Sequence, residues 1–212
     1  MPTNFLREFQ TLCAKYHRDP QTLKLIAVTK NQPVAKIQRL LQEQNFQAIG
    51  ESRIQEAQAK FSALPKCERH LIGHLQTNKV HLAIQLFDVI QSVDSVRLAQ
   101  KLNAACASQH KIMPIFLQAN LGAEPQKFGF LANELAEAWE QIQQLPHLKV
   151  QGLMVMGVKD NLQKTREVFQ RGRELQQQFQ LPEFSAGMSG DFALALECGA
   201  NVFRIGRRLF EF

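Results

Sequence analysis

LKLIAVTKNQPVAKIQRLLQEQ, residues 23–44, reads as one strand, one loop and one helix. Leu23-Lys24-Leu25-Ile26-Ala27-Val28-Thr29 is a short, mostly apolar run of the kind that forms a buried strand. Lys30-Asn31-Gln32-Pro33 opens a loop, and Pro33–Gln44 then carries its apolar residues at helical spacing. The same alternation recurs to the end of the chain. Further strands are expected at Gln47–Gly50, His70–His74, Val89–Val93, Ile112–Asn120, Val150–Met156, Glu183–Met188 and Val202–Gly206, making eight with Lys24–Thr29. Helices are expected at Arg53–Ser62, Gln76–Leu86, Ser95–Ser108, Phe130–Leu145, Asn161–Gln178 and Phe192–Cys198, and an amphipathic segment, Asn4–His17, precedes the first strand. Gly199 and the prolines at 65, 146 and 182 fall where helices should stop, and Asp94-Ser95 and Asp191 supply polar starts. Eight βα units in 212 residues predict an α/β fold: a single (β/α)8 TIM barrel with an extra N-terminal helix, residues 1–212 forming one domain. An open sheet of six or seven strands is the alternative.

Composition narrows the function. Lys and Arg outnumber Asp and Glu by 25 to 19, which favours an anionic ligand. The basic residues are scattered among Gln and Glu, without the aromatic-plus-basic runs that track nucleic acid, so no nucleic-acid partner is expected. Cys13, Cys67, Cys106 and Cys198 are far apart and show no metal-ligand spacing, so reduced thiols and no metal are expected. No run approaches the roughly 18 apolar residues that span a bilayer, and no N-terminal stretch resembles a signal peptide. A cytoplasmic protein without a membrane partner is expected. A monomer is expected too, because no helix is apolar all round. Gln176, Gln177 and Gln178 are expected on a solvated helix face.

In a β/α barrel the active site lies at the C-terminal ends of the strands, and phosphate is held by the loops after strands seven and eight. Strand seven ends in Ser185-Ala186-Gly187-Met188-Ser189-Gly190-Asp191 and leads into a helix, where a hydroxyl and free N–H groups suit an anion. The alternative there is an ordinary N-cap by Ser189 or Asp191. On strand eight, period two places Val202, Arg204 and Gly206 on the inner face. An inward arginine needs an acceptor because it keeps its charge; that acceptor is an anionic ligand or an internal carboxylate such as Glu51. Gly206 lets a ligand approach the backbone.

On strand one, Ile26, Val28 and Lys30 share a face, so Lys30 points into the same mouth. Lysine is costly to bury as a cation, and an amine held at the rim of a core is available as a nucleophile toward an aldehyde. The alternative is a lysine that marks where the strand reaches water. Other strand ends add Glu51-Ser52-Arg53, His74, Gln118 and Asn120, with Met154 and Met156 as core or pocket wall. Taken alone, His74 reads more readily as a structural hydrogen-bonding group than as an acid or base. An inward lysine, a phosphate cup and an inward arginine describe a site for pyridoxal 5'-phosphate (PLP): a Schiff base on Lys30, phosphate at Ser189 and the Gly206 loop, and Arg204 at the pyridine nitrogen. An arginine there keeps that nitrogen unprotonated and disfavours carbanion chemistry.

These residues lie in stretches that resemble the YggS/PROSC family of pyridoxal phosphate homeostasis proteins, whose fold is like the barrel domain of alanine racemase. The stretches are Ala27-Val28-Thr29-Lys30, Gly50-Glu51-Ser52-Arg53-Ile54-Gln55-Glu56, His70-Leu71-Ile72-Gly73-His74-Leu75-Gln76-Thr77-Asn78-Lys79, Gly187-Met188-Ser189-Gly190-Asp191-Phe192 and Arg204-Ile205-Gly206. The resemblance implies that Lys30 is the cofactor lysine, with Ser189, Arg204 and Gly206 as above, and it adds Met188, His74, Ser52 and Arg207 as cofactor contacts. Ser52 stands where the family has Asn, and Arg207 where it has Thr. A racemase of this fold takes its second base, a tyrosine, from an extra domain that this chain lacks; Tyr16 is its only tyrosine. The expected function is therefore a non-catalytic PLP carrier that buffers the cofactor and hands it to PLP-dependent apoenzymes. The alternatives are a fold-type III racemase-like enzyme using Lys30 and a base such as His74, and a cofactor-free Schiff-base enzyme such as an aldolase.

Overall fold

Strands form where β-branched and aliphatic residues run together, and each stops at the first polar turn. In the computed structural model, which describes residues 4–211, they are β1 Lys24–Val28, β2 Ala48–Glu51, β3 Glu68–Leu71, β4 Val89–Val93, β5 Met113–Ala119, β6 Leu148–Val155, β7 Glu183–Ser185 and β8 Val202–Ile205. All neighbours pair in parallel, and β1 closes on β8 through Lys24↔Val202, Leu25↔Phe203, Ile26↔Arg204 and Ala27↔Ile205. The sheet is a closed barrel, so the open-sheet alternative is excluded. Residues 1–3 and 212 of the expected domain lie outside the described residues.

The helices are α1 Asn4–Lys15, α2 Val34–Glu43, α3 Ile54–Lys60, α4 Val80–Leu86, α5 Val96–Ala107, α6 Leu135–Ile142, α7 Leu162–Gln178 and α8 Phe192–Glu197. Ser95 caps α5 by accepting from Leu98 N at 3.3 Å, as its polar start predicts. Only a 3-10 turn, Arg207–Leu209, follows β8 among the described residues. The expected extra helix, α1, packs beside that turn: Phe5 lies 5.0 Å from Phe192, Phe9 meets Phe203 edge-on at 5.5 Å, and Arg208 pairs with Glu8 while lying over Phe5. It thus covers β8 in place of a following helix.

Several expected boundaries move, and three of the shifts bear on the site. The third strand begins at Glu68 rather than His70, because Glu68 pairs with Ala48, and it ends at Leu71, which leaves His74 in the following loop. The seventh strand ends at Ser185, short of Met188. The sixth helix starts at Leu135 rather than Phe130, because Phe130 bridges to Ala119 in extended form and exchanges backbone hydrogen bonds with Gln118 and Asn120. Gln176 does not face solvent as expected: it is buried, donating to Leu181 O and accepting from Arg173 at 2.6 Å.

A continuous apolar layer lies between strands and helices, and a second cluster of Ile26, Ala48, Val89, Phe116, Met154 and Val202 fills the barrel. Burying such aliphatic and aromatic side chains contributes about 1.5–3 kcal/mol each. Period two along the strands also turns four polar residues, His70, Gln91, Ser185 and Arg204, into this interior, where all are buried.

Candidate functional site

The mouth of the barrel is built by the turns that follow the strands. β1 ends one residue earlier than expected, so Lys30 sits in a turn closed by Gln32 N donating to Thr29 O at 3.0 Å. Lys30 is exposed, and the burial invoked to activate its amine is absent from this arrangement. What is buried is the support beneath it. Lys60 Nζ donates to Thr29 O at 2.9 Å, Glu51 Oε1 at 2.8 Å and Glu56 Oε2 at 3.1 Å. Glu56 also accepts from Asn31 N at 3.2 Å, and Thr29 Oγ1 donates to Glu51 at 2.8 Å. Burial acts to lower the pKa of Lys60, but its hydrogen bonds to Glu51 and Glu56 outweigh this and hold it above the ordinary value. The turn carrying Lys30 is therefore pinned to β2 and α3.

Glu51 is fully buried and spends itself on Lys60 and Thr29, so it is not the partner of Arg204. Arg204 Nη1 donates to Ser185 Oγ at 2.5 Å and Nη2 to Val155 O at 2.8 Å. Its Nε makes no hydrogen bond within the described residues. Burial pushes the pKa of this guanidinium down to about 10, opposed by the Asp191 carboxylate, and it remains a cation at neutral pH. Asp191 is itself shifted up by burial, against the pull of Met188 N and Arg204.

At the ends of β7 and β8 the N-cap alternative does not hold: neither Ser189 nor Asp191 caps α8 with its side chain among the described residues. Asp191 Oδ1 instead accepts from Met188 N at 2.6 Å, which closes the loop before the helix. The N–H groups of Ser189, Gly190, Gly206 and Arg207, and the Ser189 hydroxyl, find no acceptor among the described residues. A Cβ on Gly190 would meet nothing within 4 Å, and one on Gly206 would meet only Val28 at 3.9 Å. The result is an open cradle of unpartnered donors, which fits a phosphate. Gly187 fixes its shape: φ is +90°, and an added Cβ would lie 2.8 Å from Ala195 Cβ, so only glycine fits. Arg208, stacked on Phe5 and Phe192, reaches Ser189 O at 3.5 Å and ties the cradle to α1.

The other sequence-predicted residues fall around the same mouth. Ser52 and His74 line one small cavity of about 170 Å³ with Arg53, Gln76 and Lys79. Met188 and Asp191 line another of about 450 Å³ with Met156 and Lys127. Met154 is core and Met156 is wall. Arg207 is exposed beside Gly206. Gln118 and Asn120 hold up the loop after β5 instead of facing a ligand: Gln118 donates to Phe128 O at 2.8 Å, and Asn120 to Glu124 O at 2.8 Å and Lys127 O at 3.1 Å. That loop crosses the mouth. Phe128 stacks on His74 with ring centroids 3.7 Å apart, and Lys127 donates to Gly157 O at 2.7 Å. His74 also bonds Asp94 at 2.7 Å.

Sequence reasoning gave no role to Lys60, Gln91, Ser185 or Lys127. Gln91 was the most legible of them, as a polar residue at an inward position of an otherwise apolar strand. A cavity of about 530 Å³ opens at the other end of the barrel, between α1 and the strand starts at Lys24, Glu68 and Glu183. It lies away from the strand ends that carry the cradle.

Residues 7–211 match the family model of the alanine racemase N-terminal domain. The pyridoxal phosphate homeostasis protein of Haemophilus influenzae is 31% identical over 216 residues, covering 96% of this chain and 91% of that protein. The protein of the same name from Aquifex aeolicus is 34% identical, with 97% and 93% covered. PipY of Synechococcus elongatus PCC7942, solved with PLP bound, superposes with a TM-score of 0.83 at 34% identity, covering 95% of this chain and 98% of PipY. An alanine racemase from Clostridium difficile 630 superposes with a TM-score of 0.75 at 15% identity, over 96% of this chain but 55% of the racemase, and shares the fold.

Proposed function

This chain belongs to the alanine racemase N-terminal domain family and, within it, to the pyridoxal phosphate homeostasis proteins, and from that membership we propose that it binds PLP reversibly on Lys30 and holds it for PLP-dependent apoenzymes. The observation that carries the reading is the coincidence at one barrel mouth of a pinned lysine turn, a cradle of four unpartnered N–H groups and a buried arginine. PLP, when bound, would supply an aldehyde able to condense with a primary amine, with loss of water. Lys30 provides that amine from a turn fixed by Lys60. Ser189, Gly190, Gly206 and Arg207 would bind the phosphate through backbone N–H groups, helped by the Ser189 hydroxyl. Arg204, whose Nε–H is unpartnered among the described residues, would donate to the ring nitrogen and so hold it as an unprotonated acceptor. Met188, Ser52 and His74 would border the ring.

The exposure of Lys30 supports a holder over an enzyme: water and a receiving protein can both reach the linkage. Tyr16 supports it too, because it sits at the end of α1, its hydroxyl bonded to Glu197 at 3.3 Å, far from service as a second base. The same reading takes residues 1–212 as one domain working as a cytoplasmic monomer.

Titration with PLP tests the binding. The wild type is expected to gain the visible absorbance of a lysine-bound cofactor, and borohydride reduction to fix the adduct on Lys30. Lys30→Ala is expected to lose both while keeping its fold. Absence of the band in the wild type overturns the reading; racemisation of an amino acid that disappears in Lys30→Ala overturns the non-catalytic part of it.

A further inference from the structure

Arg204 is buried without a carboxylate in direct contact, yet a carboxylate terminates the chain of hydrogen bonds that starts on it. Ser185 Oγ, which accepts from Arg204, donates to Gln91 Oε1 at 2.8 Å across the barrel from β7 to β4. Gln91 Nε2 lies 3.0 Å from His70 Nδ1, and His70 Nε2 lies 2.9 Å from Glu68 Oε2. Glu68 pairs with Lys24 Nζ at 3.1 Å, and Lys24 reaches Glu183 at 3.5 Å, at the opposite end of the barrel from the mouth.

The chemistry of the groups orients every link. Arginine only donates, so Ser185 must accept from it, and the single hydroxyl hydrogen then goes to the Gln91 carbonyl. The Gln91 amide hydrogens therefore face His70 Nδ1, which must be unprotonated. The ring hydrogen sits on Nε2 and points at the Glu68 carboxylate. All four bonds run in one direction, from a buried cation to a carboxylate near the floor, and bonds aligned head to tail in a low-dielectric interior polarise one another.

Building on the PLP-binding reading, we infer that Ser185, Gln91 and His70 are positioning residues for Arg204, forming a relay that sets the guanidinium against the ring nitrogen and couples the mouth of the barrel to its floor. Side chains that served only as core filling would be apolar here, as their neighbours Ile26, Val89 and Phe116 are. The groups facing His70 in this relay are Glu68, Gln91 and, beyond them, Lys24, Glu183 and Ser185.

The test is nitrogen NMR of protein labelled at histidine, with and without PLP. In cofactor-free protein His70 is expected as the Nε2–H tautomer; finding Nδ1–H overturns the relay whether or not PLP binds. Adding PLP to the wild type is expected to move the His70 ring shifts, although three hydrogen bonds separate it from Arg204. Ser185→Ala and Gln91→Leu are expected to abolish that response and to weaken PLP binding about tenfold, the worth of roughly one hydrogen bond. They should still form the borohydride-fixed adduct on Lys30, which separates a failed relay from a failed PLP site. Ser185→Thr, which keeps the hydroxyl, is expected to retain the response. A His70 signal indifferent to PLP in a wild type that binds it, or a response that persists in the severed variants, overturns the inference.

Discussion

Lys60 does more for the mouth of this barrel than its place on a helix suggests. Its side chain is 13% exposed and neutralises Glu51, whose side chain is wholly buried and whose Oε2 has no hydrogen-bond partner. Removing one member of a buried pair strands the other's charge, at a cost of about 3–5 kcal/mol. Lys60→Met is therefore expected to lower unfolding stability by that amount, and to weaken PLP binding because the Thr29-Lys30-Asn31 turn loses its anchor. Adding Glu51→Gln is expected to restore most of the stability, since no stranded charge remains. Urea denaturation of the single and double variants measures both effects. Full stability in Lys60→Met would mean that the pair is not a buried anchor. The sequence displayed the i,i+4 spacing of Glu56 and Lys60 but gave no sign that Glu51 would join them, because that contact joins β2 to α3 through space.

At the scale of elements, α1 is where expectation and structure differ most in meaning. Its amphipathic pattern was legible, and a helix over Asn4–Lys15 formed much as expected. Its role was not legible, since nothing in residues 4–15 says that they will cover β8. Phe5, Phe9 and Cys13 form its buried face, and Phe9 bridges Phe203 of β8 and Phe192 of α8. Phe9→Ala is expected to cost about 3–5 kcal/mol, the range for truncating a buried aromatic residue. Part of that loss should appear as weaker PLP binding, because Phe203 precedes Arg204 and Arg208 links α1 to Ser189. Denaturation together with PLP titration checks this. A loss under 1 kcal/mol would show that α1 is peripheral to the barrel.

At the scale of the whole molecule, the polar chain through the barrel makes stability depend on acid. The hydrogen bond from His70 comes first among the causes that hold Glu68 down to a pKa of about 2, with burial opposing and Lys24 assisting. Because the folded value lies below the ordinary 4.5, its contribution is fully present above about pH 4.5 and is lost as pH falls toward 2. Glu68 is 37% exposed, so solvent screening keeps the effect modest. Glu68→Gln is expected to flatten the fall in urea midpoint between pH 5 and pH 3; an unchanged slope would show that Glu68 does not carry it. Burial raises the pKa of each of the four thiols, Cys13, Cys67, Cys106 and Cys198. By itself the sequence determined the eight strands, their alternation with helices and the residues at each strand end, because periodicity and turn chemistry are local properties of a chain. Tertiary structure alone decided that Lys30 stands exposed on a buried ionic anchor, that Arg204 answers to Ser185 and not Glu51, and that α1 covers β8. Those outcomes depend on which side chains meet across the closed barrel, and closure brings together residues that no local pattern relates.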